Sequence, residues 1–304
     1  MDRPPLRLGT RRSPLAMAQA AEARARLCAA HGWGEDTVEL VPVVSSGDKI
    51  QDRPLAEIGG KALWTRELDA WLLEGRIDAA VHSMKDVETI RPAEITIAAV
   101  LPRADVRDRL IGADSLALIP KGGRLGTSSP RRSAQIAELR PDLDVVLFRG
   151  NVATRLRKLE EGEADATLLA AAGLDRLGQL DLGVAIPVDV MLPAPAQGAI
   201  GIETLTANSE MRALLAAIDH GTTSTCVLTE RALLEGLRAD CRSPVAALAQ
   251  ARGSKIFLRA EILSADGSER VTGELPDANP DAARALAADL LERASPSLRA
   301  LFGA

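Results

Sequence analysis

The hydrophobic pattern of the chain alternates between short apolar runs and longer amphipathic stretches. Residues 37–44, 77–82 and 95–101 are short runs rich in β-branched side chains, whereas stretches such as 63–73 have helical spacing. Strands that alternate with helices are typical of βαβ units. The pattern therefore predicts an α/β protein with a largely parallel sheet.

The beginning of the chain is repeated near its middle. Arg7-Leu8-Gly9-Thr10 returns as Arg124-Leu125-Gly126-Thr127, and each copy continues into a serine, a proline and a predicted helix. Ser13 and Ser129 suit the N-cap, and proline suits the first helical position. Exposed N–H groups and the helix dipole favour an anion at such an end. We predict two related α/β domains, each with an anion-binding turn between a strand and a helix.

The rest of the pattern predicts how these domains are connected. Residues 99–105 and 191–198 form the predicted crossovers, and an apolar run at 199–203 is a further strand that returns to the first sheet. A helix at 229–237, two β-like runs joined through Asp266-Gly267 and a closing helix at 281–293 predict a small α+β domain. The predicted domains are 1–99 with 200–218, 105–195, and 221–304.

Composition narrows the function classes. The chain of 304 residues is 46% hydrophobic and 26% charged, as in ordinary folded proteins, and its net charge of −5 argues against a nucleic-acid partner. No apolar run approaches the roughly 18 residues of a membrane span, and the N-terminus lacks a signal-peptide core, so we expect a cytoplasmic protein. The three cysteines and three histidines share no ligand spacing, so no metal site is predicted.

Arginine strongly outnumbers lysine, since only six of the 37 basic residues are lysines. Coding bias and a carboxylate-rich ligand both explain this excess, because the guanidinium fork binds carboxylates at two points. The positions favour the ligand, because several arginines lie at predicted junctions between strands and helices: Arg11, Arg12, Arg131, Arg132, Arg149, Arg155 and Arg176. Gly59-Gly60-Lys61 lacks the spacing of a P-loop, so nucleotide chemistry is not indicated.

Two further residues are candidates for chemistry. Asp86 follows the apolar run 77–81 through His82-Ser83-Met84-Lys85, and ligands of open α/β sheets bind at the carboxyl ends of strands. A carboxylate there can give a proton to a leaving group and stabilise the remaining cation; the alternative is a solvated turn residue. Cys241 lies in a predicted loop, where Arg238 and Arg242 favour its thiolate and Asp240 opposes it; the alternative is inert packing.

Seven ordered stretches, at 9–16, 47–50, 59–63, 80–87, 126–133, 149–156 and 192–199, resemble the porphobilinogen deaminase family. The resemblance implies a three-domain monomer whose first two domains resemble type II periplasmic binding proteins, with mixed, mainly parallel sheets. It implies a covalent dipyrromethane cofactor, linked as a thioether to Cys241. It also implies that four porphobilinogen molecules are joined head to tail with loss of ammonia, and that hydrolysis then releases hydroxymethylbilane for porphyrin synthesis.

The resemblance also implies roles for individual residues. Asp86 matches the catalytic aspartate of the family. Positions that bind cofactor or substrate, or assist at the site, match Arg11, Ser13, Lys61, Ser83, Lys85, Thr127, Ser128, Ser129, Arg131, Arg132, Arg149, Arg155 and Arg176. Gln19 and Gln197 are added as amide contacts to the ligand, although from the residues alone a structural role explains both.

The chain departs from the family pattern in three places. Ala239-Asp240 replaces a glycine pair before the cofactor cysteine, Glu88 replaces a proline and adds a carboxylate near the site, and Trp64 replaces a phenylalanine. A rival hypothesis is a non-catalytic, two-domain anion-binding module, which would use the same turns. That module would leave Cys241 unmodified, whereas the enzyme would carry an adduct there.

Overall fold

The computed structural model describes residues 5–44 and 65–303. These residues divide into two compact units. Unit 1 contains the described residues of 5–104 together with 198–224, and unit 2 contains 105–197 and 225–303. The chain thus passes between the units within both predicted crossover segments. The finer division into three domains stays a prediction.

Unit 1 is built on a five-stranded sheet with the order β2-β1-β3-β10-β4. Strand β10 runs antiparallel to its neighbours β3 and β4, and the other pairings are parallel. Four strands therefore point the same way, and the apolar run at 199–203 returns to the first sheet as predicted. The strands are β1 (Leu6–Arg11), β2 (Val38–Val43), β3 (Ala79–Ser83), β4 (Ile95–Val100) and β10 (Ile200–Leu205), and the helices are α1 (Pro14–His31), α2 (Arg66–Leu73) and α6 (Ser209–Ala216).

Unit 2 contains a second sheet of the same plan, with the order β7-β6-β8-β5-β9. Here β5 is the antiparallel strand, between β8 and β9. The shared topology confirms the predicted pair of related α/β domains with mixed, mainly parallel sheets. The elements are β5 (Asp108–Ile111), β6 (Arg124–Thr127), β7 (Asp144–Leu147), β8 (Ala166–Ala170) and β9 (Val184–Ala185), with α3 (Pro130–Leu139), α4 (Val152–Glu160) and α5 (Ala171–Arg176).

The C-terminal part of the chain forms the predicted α+β structure. An antiparallel sheet with the order β11-β12-β13 packs against α8. The elements are α7 (Gly221–Gly236), β11 (Val245–Arg252), β12 (Lys255–Leu263), β13 (Arg270–Leu275), α8 (Pro280–Arg293) and α9 (Pro296–Ala300). No helix in the described part of the chain is long and apolar enough to cross a bilayer.

Two expectations for this region were wrong. The helix predicted at 229–237 begins at Gly221, because Thr223 and Val227 are buried and their packing outweighs the weak helix propensity of the threonine-rich start. Strand β11 was missed altogether. Its alanines disfavour a strand, and its first five residues are all buried, so the alternation that marks a half-exposed strand is absent.

The repeated Gly-Thr has the same packing role in both sheets. A Cβ on Gly9 would lie 2.4 Å from Ile77 Cδ1, and a Cβ on Gly126 would lie 2.4 Å from Phe148 Cγ. Both threonines are buried, and both helices begin as predicted: Ser13 accepts the N–H of Ala16, and Ser129 accepts the N–H of Arg132. The repeat therefore encodes close packing of a strand and a capped helix after it.

Candidate active site

A cleft in unit 1 lies where β1 and β3 end and α1 begins. It is lined by Arg11, Ser13, Leu15, Ala16, Gln19, Val81, His82, Ser83 and Asp86. Five of the predicted site residues, Arg11, Ser13, Gln19, Ser83 and Asp86, therefore come together, although they belong to separate parts of the sequence. Asp86 ends a short 3-10 turn, Met84–Asp86, that directly follows β3. Its side chain is half-buried and lines this cleft.

The start of α1 gives the cleft a positive character. Ser13 Oγ accepts the N–H of Ala16 at 3.3 Å, so the serine closes the first turn of the helix. The Leu15 N–H, the helix dipole and the Arg11 guanidinium favour an anion; Pro14 has no N–H, and the Met17 N–H donates to the Ser13 carbonyl. Gln19 is buried one turn further along α1. An anionic ligand held by this end of the helix would lie beside the Asp86 carboxylate.

The chain after Asp86 is held by an ion-pair network that the sequence analysis missed. Lys85 is half-buried, and Glu88, interpreted from sequence as an added carboxylate near the site, pairs with Arg91 at 2.7 Å. Arg91 also contacts Glu203 of β10. No local sequence signal links Arg91 to a strand more than a hundred residues away, so only the fold shows this pairing.

The turn between β6 and α3 in unit 2 brings together four predicted residues. Thr127 Oγ1 accepts the N–H of Ser129 at 3.2 Å, and Ser129 Oγ accepts the N–H of Arg132 at 3.4 Å. Arg155 donates from Nη2 to Ser128 Oγ at 3.2 Å and from Nε to the Gly150 carbonyl at 3.0 Å. The turn thus carries hydroxyls and a guanidinium at the start of a helix, which suits an anion.

Arg131 and Arg132 are buried and share one carboxylate. Asp108 Oδ2 accepts from Arg131 Nη1 at 2.9 Å, and Asp108 Oδ1 accepts from Arg132 Nη2 at 2.7 Å and from Gln197 Nε2 at 2.8 Å. Burial would raise the pKa of Asp108, but the two guanidiniums outweigh it and hold that pKa well below its ordinary value. Both arginines also have a buried Nε–H group with no acceptor among the described residues. Each of the two arginines thus directs one N–H group to Asp108 and leaves its Nε–H group without an acceptor among the described residues.

The other predicted residues are more dispersed. Arg149 is buried just beyond β7, next to the strand that leads to Thr127. Arg176 is half-buried at the end of α5, which follows β8. Lys61 lies outside the described residues, as do the motif stretches 47–50 and 59–63 and Trp64.

Cys241 lies in the loop between α7 and β11. It is the only exposed cysteine of the three, since Cys28 and Cys226 are buried. Beside it, Asp240 Oδ1 accepts the N–H of Arg242 at 2.8 Å, and the Arg242 guanidinium pairs with the same carboxylate. The pKa of Arg242 is raised, chiefly by Asp240 and to a smaller extent by the charge of Cys241. The substitution of a glycine pair thus brings in an ion pair that spans the cysteine.

Comparisons with known proteins cover nearly the whole chain. Residues 6–213 match the family model described as "Porphobilinogen deaminase, dipyromethane cofactor binding domain", and residues 224–295 match its C-terminal domain. The chain is 57% identical to the porphobilinogen deaminase of Sphingopyxis alaskensis over 98% of this chain and 96% of that protein. It is 50% identical to the one of Paracoccus denitrificans over 95% and 93%.

Solved structures show more distant similarity. The VFT2 domain of Bordetella pertussis BvgS matches 71% of this chain and 87% of its own, with 15% identity and a TM-score of 0.43. The second substrate binding domain of a putative amino acid ABC transporter from Streptococcus pneumoniae matches 70% and 90%, with 13% identity and a TM-score of 0.42.

Proposed function

The chain belongs to the porphobilinogen deaminase family, and we propose that the cleft around Asp86 is its catalytic centre. Its activity is that of a transferase, hydroxymethylbilane synthase, which joins four porphobilinogen molecules with loss of ammonia in tetrapyrrole biosynthesis. The observation that supports the proposed site is the meeting of Asp86 with Arg11, Ser13 and Ser83 at the carboxyl edge of the first sheet.

Cys241 is the proposed attachment point of the dipyrromethane cofactor, which the matched cofactor-binding domain implies. The residues present fit this group, because Cys241 is the only cysteine whose thiol solvent can reach. When bound, the cofactor supplies the pyrrole carbon to which the first substrate is joined. Asp240 and Arg242, which flank Cys241 in sequence, are hydrogen-bonded to each other.

The arginine-rich turn of unit 2 is the proposed binding place for carboxylates of the cofactor and the growing product. Porphobilinogen has an acetate and a propionate, so each added unit brings two negative charges, and guanidinium forks are suited to bind them. Arg155, Ser128, Ser129 and Thr127 present donors at the start of α3. Arg131 and Arg132 are buried against Asp108, so they would act on a ligand carboxylate through their positive charge. Arg149, Arg176, Lys61, Lys85, Gln19 and Gln197 complete the proposed set.

Asp86 is proposed to act on the substrate in two ways. Its carboxylate accepts the pyrrole N–H group and thereby orients the ring. As ammonia leaves, the carboxylate stabilises the positive charge that remains on the substrate, and the half-buried position strengthens this attraction. Arg11 and the start of α1 meanwhile hold a substrate carboxylate, so that the protein supplies position and field.

The test replaces the carboxylate and the thiol separately. We expect Asp86→Asn to lower the turnover of porphobilinogen about 10²- to 10⁴-fold, as for loss of a group that acts directly on the reacting atoms. Asp36→Asn is the matched control, because Asp36 precedes β2 at the opposite edge of the sheet. Intact-mass measurement should show the added mass of a dipyrromethane on the parent protein and none on Cys241→Ser.

Two outcomes would overturn these assignments. An unmodified parent mass, even after incubation with porphobilinogen, would support the non-catalytic anion-binding module. Turnover of Asp86→Asn within tenfold of the parent would remove Asp86 from the chemistry. We also propose that the enzyme is a monomer that acts in the cytoplasm without nucleic-acid or membrane partners. Sedimentation analysis tests its oligomeric state.

A further inference from the structure

A buried group of charged residues surrounds Arg91, and we call Arg91, Glu88, Asp69 and Glu203 the Arg91 cluster. Arg91 donates from Nε to Glu203 Oε1 at 2.8 Å and from Nη2 to Glu203 Oε2 at 3.0 Å. It also pairs with Asp69 at 2.5 Å and with Glu88 at 2.7 Å. The Arg91 side chain is only 8% exposed, so this is an interior network and not a surface ion pair.

The cluster is attached to the chain on both sides of Asp86. Before Asp86, His82 Nε2 lies 3.2 Å from Glu203 Oε2. After Asp86, Glu88 binds Arg91, and the Thr65 hydroxyl donates to Glu88 Oε2 at 2.7 Å. Glu88 thus binds the chain after Asp86 to these charges through hydrogen bonds, and His82 brings the chain before Asp86 into contact with them.

Two residues of the cluster belong to regular secondary structure. Glu203 lies on β10, opposite Ala80 of β3, and Asp69 lies on α2, for which Thr65 is the N-cap residue. Burial alone would raise the pKa of Glu203, but His82 and Arg91 outweigh burial and lower it to about 2. Burial likewise disfavours the charge of Arg91, yet Asp69 and Glu203 raise its pKa above the ordinary value. The ionised partners therefore stabilise one another.

We propose that the Arg91 cluster is a positioning device that holds the Asp86 turn in its reactive place, with Glu88 as its positioning residue. This inference rests on the proposed catalytic role of Asp86. A displacement of about 1 Å at a reacting group can cost up to about 10²-fold in rate. A turn joined to the sheet at only one end would allow such a displacement, whereas attachment at both ends prevents it.

Glu88 is the informative position for the test. Arg91→Ala would leave three carboxylates close together in the interior, and that variant risks misfolding. Glu88→Ala instead leaves Arg91 with two carboxylates, so the rest of the cluster stays compensated. We expect Glu88→Ala to lower kcat about 10- to 100-fold with KM within about twofold. Glu88→Gln should recover most of kcat, because its amide oxygen can still accept from Thr65 and Arg91.

The control removes an ion pair from the other end of the same strand. Arg7 pairs with Asp78, which precedes β3, through its backbone N–H, Nε and Nη2. Asp78→Ala should lower the thermal midpoint, because it removes an acceptor of three hydrogen bonds, while kcat stays within about twofold of the parent. Amide hydrogen exchange supplies a readout that does not depend on turnover. Peptides spanning 83–90 should exchange faster in Glu88→Ala than in the parent, whereas their exchange rate in Asp78→Ala should equal that of the parent.

The outcomes separate this inference from the proposed function. If Glu88→Ala keeps the parent kcat and the parent exchange rate at 83–90, the positioning role is wrong even though Asp86 remains essential. If kcat falls equally in Asp78→Ala, the loss reflects general destabilisation and the inference is also wrong. Failure of the proposed function would instead appear as full turnover in Asp86→Asn.

Discussion

Replacement of Asp108 by asparagine should strongly destabilise unit 2. Asp108 is 1% exposed and is the shared partner of Arg131, Arg132 and Gln197. Asparagine keeps the shape but removes the charge, so two buried guanidiniums that repel each other lose their carboxylate. Loss of one partner from a buried ion pair typically costs about 3–5 kcal/mol. We expect the free energy of unfolding to fall by that amount.

Urea denaturation followed by far-UV circular dichroism measures this loss. Hydrogen exchange of peptides from β5 and α3 shows whether the effect begins there. Asp142→Asn is the control, because Asp142 also pairs with an arginine but is partly exposed, and it should shift the transition far less.

The pH dependence gives a second test. Because the pKa of Asp108 is depressed in the folded state, the contribution of its charge to stability is complete above the ordinary pKa of 3.8. The difference between the Asp108→Asn variant and the parent should therefore be constant above about pH 4 and shrink in stronger acid. A variant within about 1 kcal/mol of the parent at pH 7 would refute the reasoning.

Two further substitutions test the packing and the electrostatics of unit 2. Gly126→Ala should lower the free energy of unfolding by about 1–3 kcal/mol in a urea titration, because the new Cβ would meet the ring of the buried Phe148; Gly221→Ala, where a Cβ has open space, should not. Glu261→Gln should raise the thermal midpoint at pH 7, because burial raises the pKa of Glu261 and its charge is unfavourable in the folded state. That advantage should disappear below about pH 4.5, where the glutamate is neutral in both states; an advantage that persists there would point to packing.

The parts of the fold that depend on local chemistry could be predicted from sequence. Ser13, Ser129 and Asn151 begin their helices as N-caps, because a side-chain oxygen reaches an N–H only three residues away. The repeated Gly-Thr also correctly placed two turns that each join a strand to a helix, and their anion-binding role stays a prediction. Strand β11 escaped prediction, because burial on both faces removes the alternation on which such predictions depend.

In the candidate site, too, the residues that local sequence marks could be predicted, whereas their partners from distant parts of the chain could not. Asp86 and Arg11 were identified because each follows a predicted strand, whereas Ser83 was identified only by the family resemblance. The partners of the site could not be identified this way. Asp108 is separated from Arg131 by a strand and a turn, and Glu203 reaches Arg91 only because β10 inserts between β3 and β4. Pairings that depend on sheet order have no signature in the neighbouring sequence.

The pairing of Arg131 and Arg132 with Asp108 is compatible with the predicted anion preference of the turn between β6 and α3. One carboxylate meets two guanidiniums, so the buried group keeps an excess of positive charge. That charge lies in the first turn of α3, where the helix dipole has the same sign. In unit 1 the balance is reversed, since Arg91 meets three carboxylates. We therefore expect the turn in unit 2 to attract a carboxylate-rich ligand, and the negative excess around Arg91 to favour a cation on the substrate.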